Sequence, residues 1–475
     1  MKAVIAIDSF KGSLDSIEAG KAAEEGIRRV FADAETIVYP LADGGEGTVQ
    51  ALAKGLGGKL EKVTVTGPLG EPVICEYGIV EESGKNVSVM NGISIEKSDI
   101  SIDRMGEKSK EDSWNKDTRA KTAIIEMAGA AGITLVPPEL RNPLNTTTYG
   151  VGEVIKDAIR KGCRHFIIGI GGSATNDGGI GMLQALGVEL LDEGGKQVPF
   201  GACGVEKLTA INCEHMLPEL KECDFRIACD VDNPLCGENG CSHIFGPQKG
   251  ATPEMVEQMD QWMKKYAQLT AEYFQEVGSD NLEPERKKNA AEKELEDNPD
   301  LMKAEVQFKG KNLSVNAGWN PADFGTNYNS DYPGCGAAGG LGFAFRVFLH
   351  GKLEPGINIV LEEIGIESAI KDAHIVVTGE GRLDGQTIRG KAPIGIARLA
   401  KKYGKPVIAF SGAVTEDANA CNYAGIDAFF PILRQITTLE TAMSPATAQR
   451  NMTATVEQVF RLLKMPFVCG NTTNK

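Results

Sequence analysis

Short apolar runs, each closed by a glycine-rich loop and followed by an amphipathic stretch, recur along the chain. Lys2-Ala-Val-Ile-Ala-Ile-Asp8 predicts a buried strand, Ser9-Phe-Lys-Gly-Ser13 a loop, and residues 15–31 a helix capped by Ser13 or Asp15. Thr36-Ile-Val-Tyr-Pro-Leu41, Ala42-Asp-Gly-Gly-Glu-Gly-Thr48 and Val49–Leu56 repeat that unit. From Lys62 the period falls to two, in Lys62–Thr66 and Val73–Val80 about a Gly67-Pro-Leu-Gly70 turn, which predicts an antiparallel hairpin. A strand at Thr122–Met127 and a helix ending near Lys161 lead into His165-Phe-Ile-Ile-Gly-Ile-Gly-Gly-Ser-Ala-Thr-Asn-Asp-Gly-Gly179, a strand entering a glycine-rich loop, with a helix from Gly181. Further strands are expected at Val188–Leu191, Phe225–Cys229, Ala373–Val377, Pro406–Phe410 and Ala428–Ile432, with helices at 253–274 and Ile394–Tyr403.

This alternation predicts an α/β protein. Residues 1–61 together with 331–467 form a discontinuous doubly wound domain, and 62–275 form a second, mixed α/β domain inserted into it. Residues 83–121 and 276–330 are polar and poor in large apolar side chains, and read as surface insertions, disordered or loosely helical; 468–475 is a tail.

Composition narrows the choice of ligand. The 475 residues carry a net charge of −15, which opposes binding to nucleic acid or to an anionic membrane surface. No apolar run approaches the roughly 20 residues of a membrane span, the N-terminal run is too short for a signal peptide, and the protein reads as cytoplasmic. Eleven cysteines without a Cys-x-x-Cys pair suit buried thiols in a reducing compartment, and the irregular spacing of Cys236, Cys241 and His243 argues against a metal site.

Two nucleotide motifs can be weighed. Gly169-x-Gly171-x-x-Ala174, with Glu189 downstream, satisfies the dinucleotide fingerprint, but Asn176-Asp-Gly-Gly179 would then occupy the first turns of its helix, where glycine is costly. No Gly-x4-Gly-Lys-Ser/Thr is present. What remains is a set of charged, glycine-rich loops after strands: Asp8 with Lys11, Asp43 with Glu46, Ser173 with Asp177, Asp230 with Asp232, Gln248 with Lys249, and Glu380 with Asp384. Phosphoryl transfer uses this mixture of glycine loops and lysines for phosphates with carboxylates for Mg²⁺ and for an attacking hydroxyl. A kinase of a small hydroxylated molecule is the reading these residues support.

The loops Asp8-Ser-Phe-Lys-Gly-Ser13, Ala42-Asp-Gly-Gly-Glu-Gly-Thr48, Gly171-Gly-Ser-Ala-Thr-Asn-Asp-Gly-Gly179, Asp230-Val-Asp-Asn-Pro-Leu235, Gly246-Pro-Gln-Lys-Gly-Ala251, Gly336-Ala-Ala-Gly-Gly-Leu-Gly342 and Thr378-Gly-Glu-Gly-Arg-Leu-Asp384 resemble, in order, the motifs of the bacterial-type glycerate kinase family. The resemblance spans nearly the whole chain outside 83–121 and 276–330, where the chain departs from the family pattern but leaves the motif loops intact. It implies a flavodoxin-like domain with an inserted α/β domain and an active site in the cleft between them. It implies ATP and Mg²⁺ as cofactors and D-glycerate as substrate, phosphorylated on the 2-hydroxyl. Glycerate 3-phosphorylation, a nicotinamide-dependent hydroxy-acid dehydrogenase and a non-catalytic sugar-acid binding protein are the alternatives.

Asp177 or Asp43 is expected near the acceptor hydroxyl, Lys11 and Lys249 on anionic groups, and Asp232 or Asp384 near the metal; Asp8 completes the candidate catalytic set. Substrate or nucleotide contacts are expected at Ser9, Ser13, Gly44, Gly45, Gly172, Ser173, Thr175, Asn176, Asn233, Gln248, Lys249, Gly379, Glu380 and Gly381. A homodimer is compatible with this reading.

Overall fold

A computed structural model of the chain describes residues 1–42, 44–45, 47–81, 121–296 and 328–465, with backbone only for 277–296 and 389. Its strands are β1 (Lys2–Ile7), β2 (Glu35–Pro40), β3 (Lys59–Thr66), β4 (Pro72–Glu81), β5 (Lys121–Glu126), β6 (Cys163–Gly169), β7 (Glu189–Leu191), β8 (Ala210–Asn212), β9 (Asp224–Ala228), β10 (Lys352–Glu354), β11 (Ile375–Leu383), β12 (Val407–Val414) and β13 (Ala428–Pro431).

The first sheet runs β13-β12-β11-β1-β2 with every neighbouring pair parallel. Strands of such a sheet are covered on both faces and so read as unbroken apolar runs, as Ala3-Val-Ile-Ala-Ile7 does. Counted within this unit, the order is that of a flavodoxin-like doubly wound sheet. The winding reverses between β1 and β11, leaving a crevice beyond their carboxyl ends. Helices Ser16–Arg28 and Pro445–Lys464 cover one face, burying Ala19, Ile27, Met452 and Phe460 against Val377 and Phe410. The first of these helices starts at a capping box, in which Asp15 accepts the Glu18 N–H and Glu18 returns to the Asp15 N–H.

The second sheet runs β10-β9-β6-β5-β4-β3. The expected hairpin forms as β3–β4, β4 also pairs antiparallel with β5, and β5, β6, β9 and β10 are parallel. Strands β7 and β8 make a separate two-stranded pair. Helices Thr48–Gly55 and Gly356–Glu363 lie in one apolar cluster with Val4 and Val376 of the first sheet and Ile124, Ile167 and Ala228 of the second. They are a shared layer that fixes both sheets in one α/β body. Among the described residues no helix is long and apolar enough to cross a membrane.

Three expectations change. Strand β11 continues past Val377 to Leu383, because Glu380 and Arg382 remain in register with Ser411 and Ala413 of β12. Residues 337–354, grouped by sequence with the doubly wound part, belong to the second sheet: helix Ala337–Phe348 buries Leu341, Phe343 and Phe345 in that sheet's core, and β10 pairs with β9. The helix from Pro253 extends to Glu296, into the stretch read as an insertion. Residues 82–120, 297–327 and 466–475, with the rest of both insertions and the tail, lie outside the described residues.

Polar side chains tie the strand ends together. The Ser16 hydroxyl donates to the Ile7 carbonyl at 2.6 Å and accepts the Leu41 N–H at 2.7 Å, bracing the ends of β1 and β2. Glu126 at the end of β5 accepts the Val49 N–H at 2.9 Å, placing a carboxylate at the amino end of helix Thr48–Gly55. Arg226 on β9 reaches Glu354 and Glu363 at 2.8 Å and Glu362 at 2.7 Å.

Two glycine-rich segments meet backbone to backbone. Ala338, Gly339 and Gly340 are three successive left-handed residues at the start of helix Ala337–Phe348, and the Gly339 carbonyl accepts the Gly178 N–H at 2.9 Å. A Cβ on Gly339 would stand 2.1 Å from the Thr175 oxygen, and one on Gly340 2.7 Å from the Gly178 Cα. Gly339→Ala is therefore expected to destabilise the protein by on the order of 4 kcal/mol or to prevent folding, measured by thermal or denaturant unfolding. Near wild-type stability would show that the two segments can separate freely.

Candidate active site

The carboxyl ends of β1 and β11 open on a cavity of about 410 Å³ at the point where the winding reverses. Ligands of open α/β sheets bind at this position. Asp8, Ser9, Lys11, Ser13, Glu380, Gly381 and Asp384 line it, together with Arg382 and Lys391. Ile432, Leu433, Leu439 and Met443 form its apolar wall. The Asp8 carboxylate accepts the Ser9 N–H at 2.7 Å. Glu380 accepts the Thr387 hydroxyl at 2.7 Å and lies 3.4 Å from the Lys391 ammonium, which is 3.8 Å from Asp384. Burial pushes the Glu380 carboxyl above its ordinary range, while Thr387 and Lys391 draw it back.

A second cavity, of about 310 Å³, lies at the carboxyl ends of β6 and β9. Gly44, Gly45, Gly172, Ser173, Gln248 and Lys249 line it, with Asp230 and Ala338. Lys249 is 2% exposed and donates to the Thr175 carbonyl at 2.6 Å. Burial pushes its ammonium down to about 8, against the pull of Cys241 and Asp177. The cleft between the sheets, about 1280 Å³, adjoins both cavities: it shares Asp230 with the second, and its lining residue Gly390 precedes Lys391 of the first. Asp232 and Asn233 line this cleft, with Arg398 and Lys402 on the opposite side.

The remaining expectations divide. Asp177 lines none of these spaces. It is wholly buried, with one oxygen accepting both the Thr148 N–H and hydroxyl at 2.8 Å and the other accepting the Gly179 N–H at 3.1 Å. Burial pushes this carboxyl up and those donors pull it down. It holds the glycine-rich loop to the Thr146–Thr148 segment and is not positioned to meet a hydroxyl in either cavity. Thr175 and Asn176 are buried beside it; the Asn176 amide donates to the Ser242 hydroxyl at 3.0 Å, and Thr175 turns its carbonyl to Lys249. Gly379 is a strand residue whose Cβ would stand 2.0 Å from the Phe410 oxygen, so it serves strand contact and not a ligand. Asp43, like Glu46, lies outside the described residues, although its neighbours Gly44 and Gly45 line the second cavity.

Asp232 and Asp384, the two candidate metal ligands, are on different cavities. Among the described residues no three His, Cys, Asp or Glu side chains gather as a metal site, and His243 faces Glu257 and Asp260. Lys391 and Asp230 also line these cavities, and the pattern reading does not assign them to ligands. For Lys391 there was a signal: it is a cation at the amino end of helix Ala392–Lys402, against the helix dipole, where a negative partner is needed.

The glycerate kinase family model matches residues 3–464 of this chain. A glycerate kinase of Haemophilus influenzae is 41% identical, covering 98% of this chain and 100% of that protein. The glycerate 2-kinase of Escherichia coli is 40% identical over 96% of this chain and 98% of its own length. A crystal structure described as a glycerate kinase 2 from Salmonella typhimurium LT2 superposes with a TM-score of 0.72 at 38% identity, covering 98% of both chains.

The buried position of Asp177 separates stability from turnover. Asp177→Asn would turn an amide N–H₂ toward existing donors and is expected to cost on the order of 3 kcal/mol of stability, with turnover of the folded protein kept within about tenfold. Melting curves and low-temperature kinetics check this. A hundredfold loss of turnover at unchanged stability would return the carboxylate to the reaction centre.

Proposed function

We propose that this chain, which belongs to the glycerate kinase family, transfers the γ-phosphoryl group of ATP to the 2-hydroxyl of D-glycerate, giving 2-phospho-D-glycerate and ADP. The observation that carries this reading is the switch-point cavity, where Asp8, Lys11, Glu380, Asp384 and Lys391 face one space beside an apolar wall. Phosphoryl transfer is mostly positioning and neutralisation of charge, and this set is suited to both. Leu433, Leu439 and Met443 give a nucleobase an apolar seat, and Lys11 and Lys391 give the phosphates cations. The choice of the 2-position is supported by the Escherichia coli relative, which is named a glycerate 2-kinase.

Mg²⁺ suits this donor set. It usually keeps several waters and takes only one or two protein carboxylates besides substrate phosphates, so a three-carboxylate cage is not required. Asp8 and Asp384 would hold it in the cavity, where it would supply charge neutralisation. On the acceptor side, Asp230 borders the second cavity and the cleft, and accepts the Gly356 N–H at 3.0 Å. From there its carboxylate would orient the attacking hydroxyl and receive its proton as the new P–O bond forms and the bond to the β-phosphate breaks. Ten described cysteines are free thiols, in keeping with action in the cytoplasm.

Incubation with ATP, Mg²⁺ and D-glycerate, followed by enolase without a mutase, is expected to yield phosphoenolpyruvate. Lys11→Met is expected to lower that yield at least about a hundredfold, the scale of a lost charge on a transferring phosphoryl group. Glycerate-dependent ADP without phosphoenolpyruvate would overturn the 2-position, and absence of glycerate-dependent ADP would overturn the kinase.

A further inference from the structure

The second cavity carries both signs of charge in its lining, Lys249 and Asp230. Lys249 is fully enclosed, with a single described partner, the Thr175 carbonyl. Among the described residues no carboxylate lies within ion-pair reach of it, and the buried Asp177 acts on it only from beyond that reach. A buried ammonium without an acid partner is expensive, and an arriving anion relieves that cost. Beside it, Ala338 holds φ +53°, a left-handed conformation that is strained for a non-glycine residue. Ala338 lines the same cavity as Lys249. Successive N–H groups about such a turn form a concavity for an oxyanion. Asp230, in the same lining, is a carboxylate that would repel an anion and accept from a hydroxyl.

We propose that this cavity is the seat of the acid substrate: the carboxylate of the hydroxy acid lies on Lys249 beside the left-handed turn at Ala338, with its hydroxyls toward Asp230. Resting on the kinase reading above, this makes Lys249 a specificity-determining residue, the group that separates a hydroxy acid from the uncharged polyol of the same size. It also explains why the strained turn is kept. The switch-point cavity, lined by acidic as well as basic groups, then serves the nucleotide.

The test is steady-state kinetics of the full chain with D-glycerate, D-glyceramide and ATP, using Lys249→Met, which keeps the length of the buried side chain. The variant is expected to raise the KM for glycerate about a hundredfold, to leave the KM for ATP within twofold, and to lose most of the preference for glycerate over the neutral amide. An unchanged glycerate KM overturns the assignment, as does a raised ATP KM with glycerate unaffected, which would put a phosphate on Lys249. Wild-type protein that phosphorylates no glycerate overturns the kinase reading itself, a distinct failure. If the variant does not fold, the wild-type comparison decides: glyceramide must compete with glycerate at least a hundredfold more weakly than glycerate binds, and equal competition contradicts the proposal.

Discussion

The backbone-to-backbone contact between residues 175–178 and 338–340 governs the arrangement around it. Side chains larger than hydrogen at Gly339 and Gly340 would enter the opposing main chain, so the two loops can close only as glycine segments. Closure buries Asp177, which must then find donors, and Thr148 supplies two of them. Closure also leaves the Thr175 carbonyl facing Lys249, as the one described hydrogen-bond acceptor of that buried ammonium. A loop-packing constraint thus sets the electrostatics of the cavity beside it.

The larger frame depends on what lies between the sheets. Helices Thr48–Gly55 and Gly356–Glu363 share one apolar cluster with strands from both, so neither sheet has an independent inner face. Glu126 on the amino end of the first helix, and Arg226 on Glu362 and Glu363 of the second, add polar ties from the second sheet to this layer. Arg226 is 18% exposed and is shared by three glutamates, conditions under which ion pairs hold better than isolated surface pairs do. The consequence is that the carboxyl ends of β1 and β11 and those of β6 and β9 open near one cleft.

Much of this is readable from apolar spacing. The parallel strands are continuous runs, the β3–β4 hairpin alternates, and the glycine loops mark the carboxyl ends where cavities form. What spacing does not reveal is which side of a loop each residue takes. Ser173 and Asp177 are four residues apart in one loop, yet one lines a cavity and the other is sealed beneath it. Gly379 and Gly381 are two apart, and only the second faces the switch-point cavity, because the first is pressed against Phe410. Residues 337–354 carried no sign of their sheet, since that choice is made by long-range pairing with β9. The short β8 and β10, three residues each, are too brief to show a period.

The division of labour between the two cavities is tested most directly by a crystal structure with a non-hydrolysable ATP analogue, Mg²⁺ and D-glycerate. The triphosphate is expected against Lys11 and Lys391, with the glycerate carboxylate on Lys249 and its 2-hydroxyl turned across the cleft toward the γ-phosphate. A triphosphate seated on Lys249, or glycerate bound at the switch point, would contradict it.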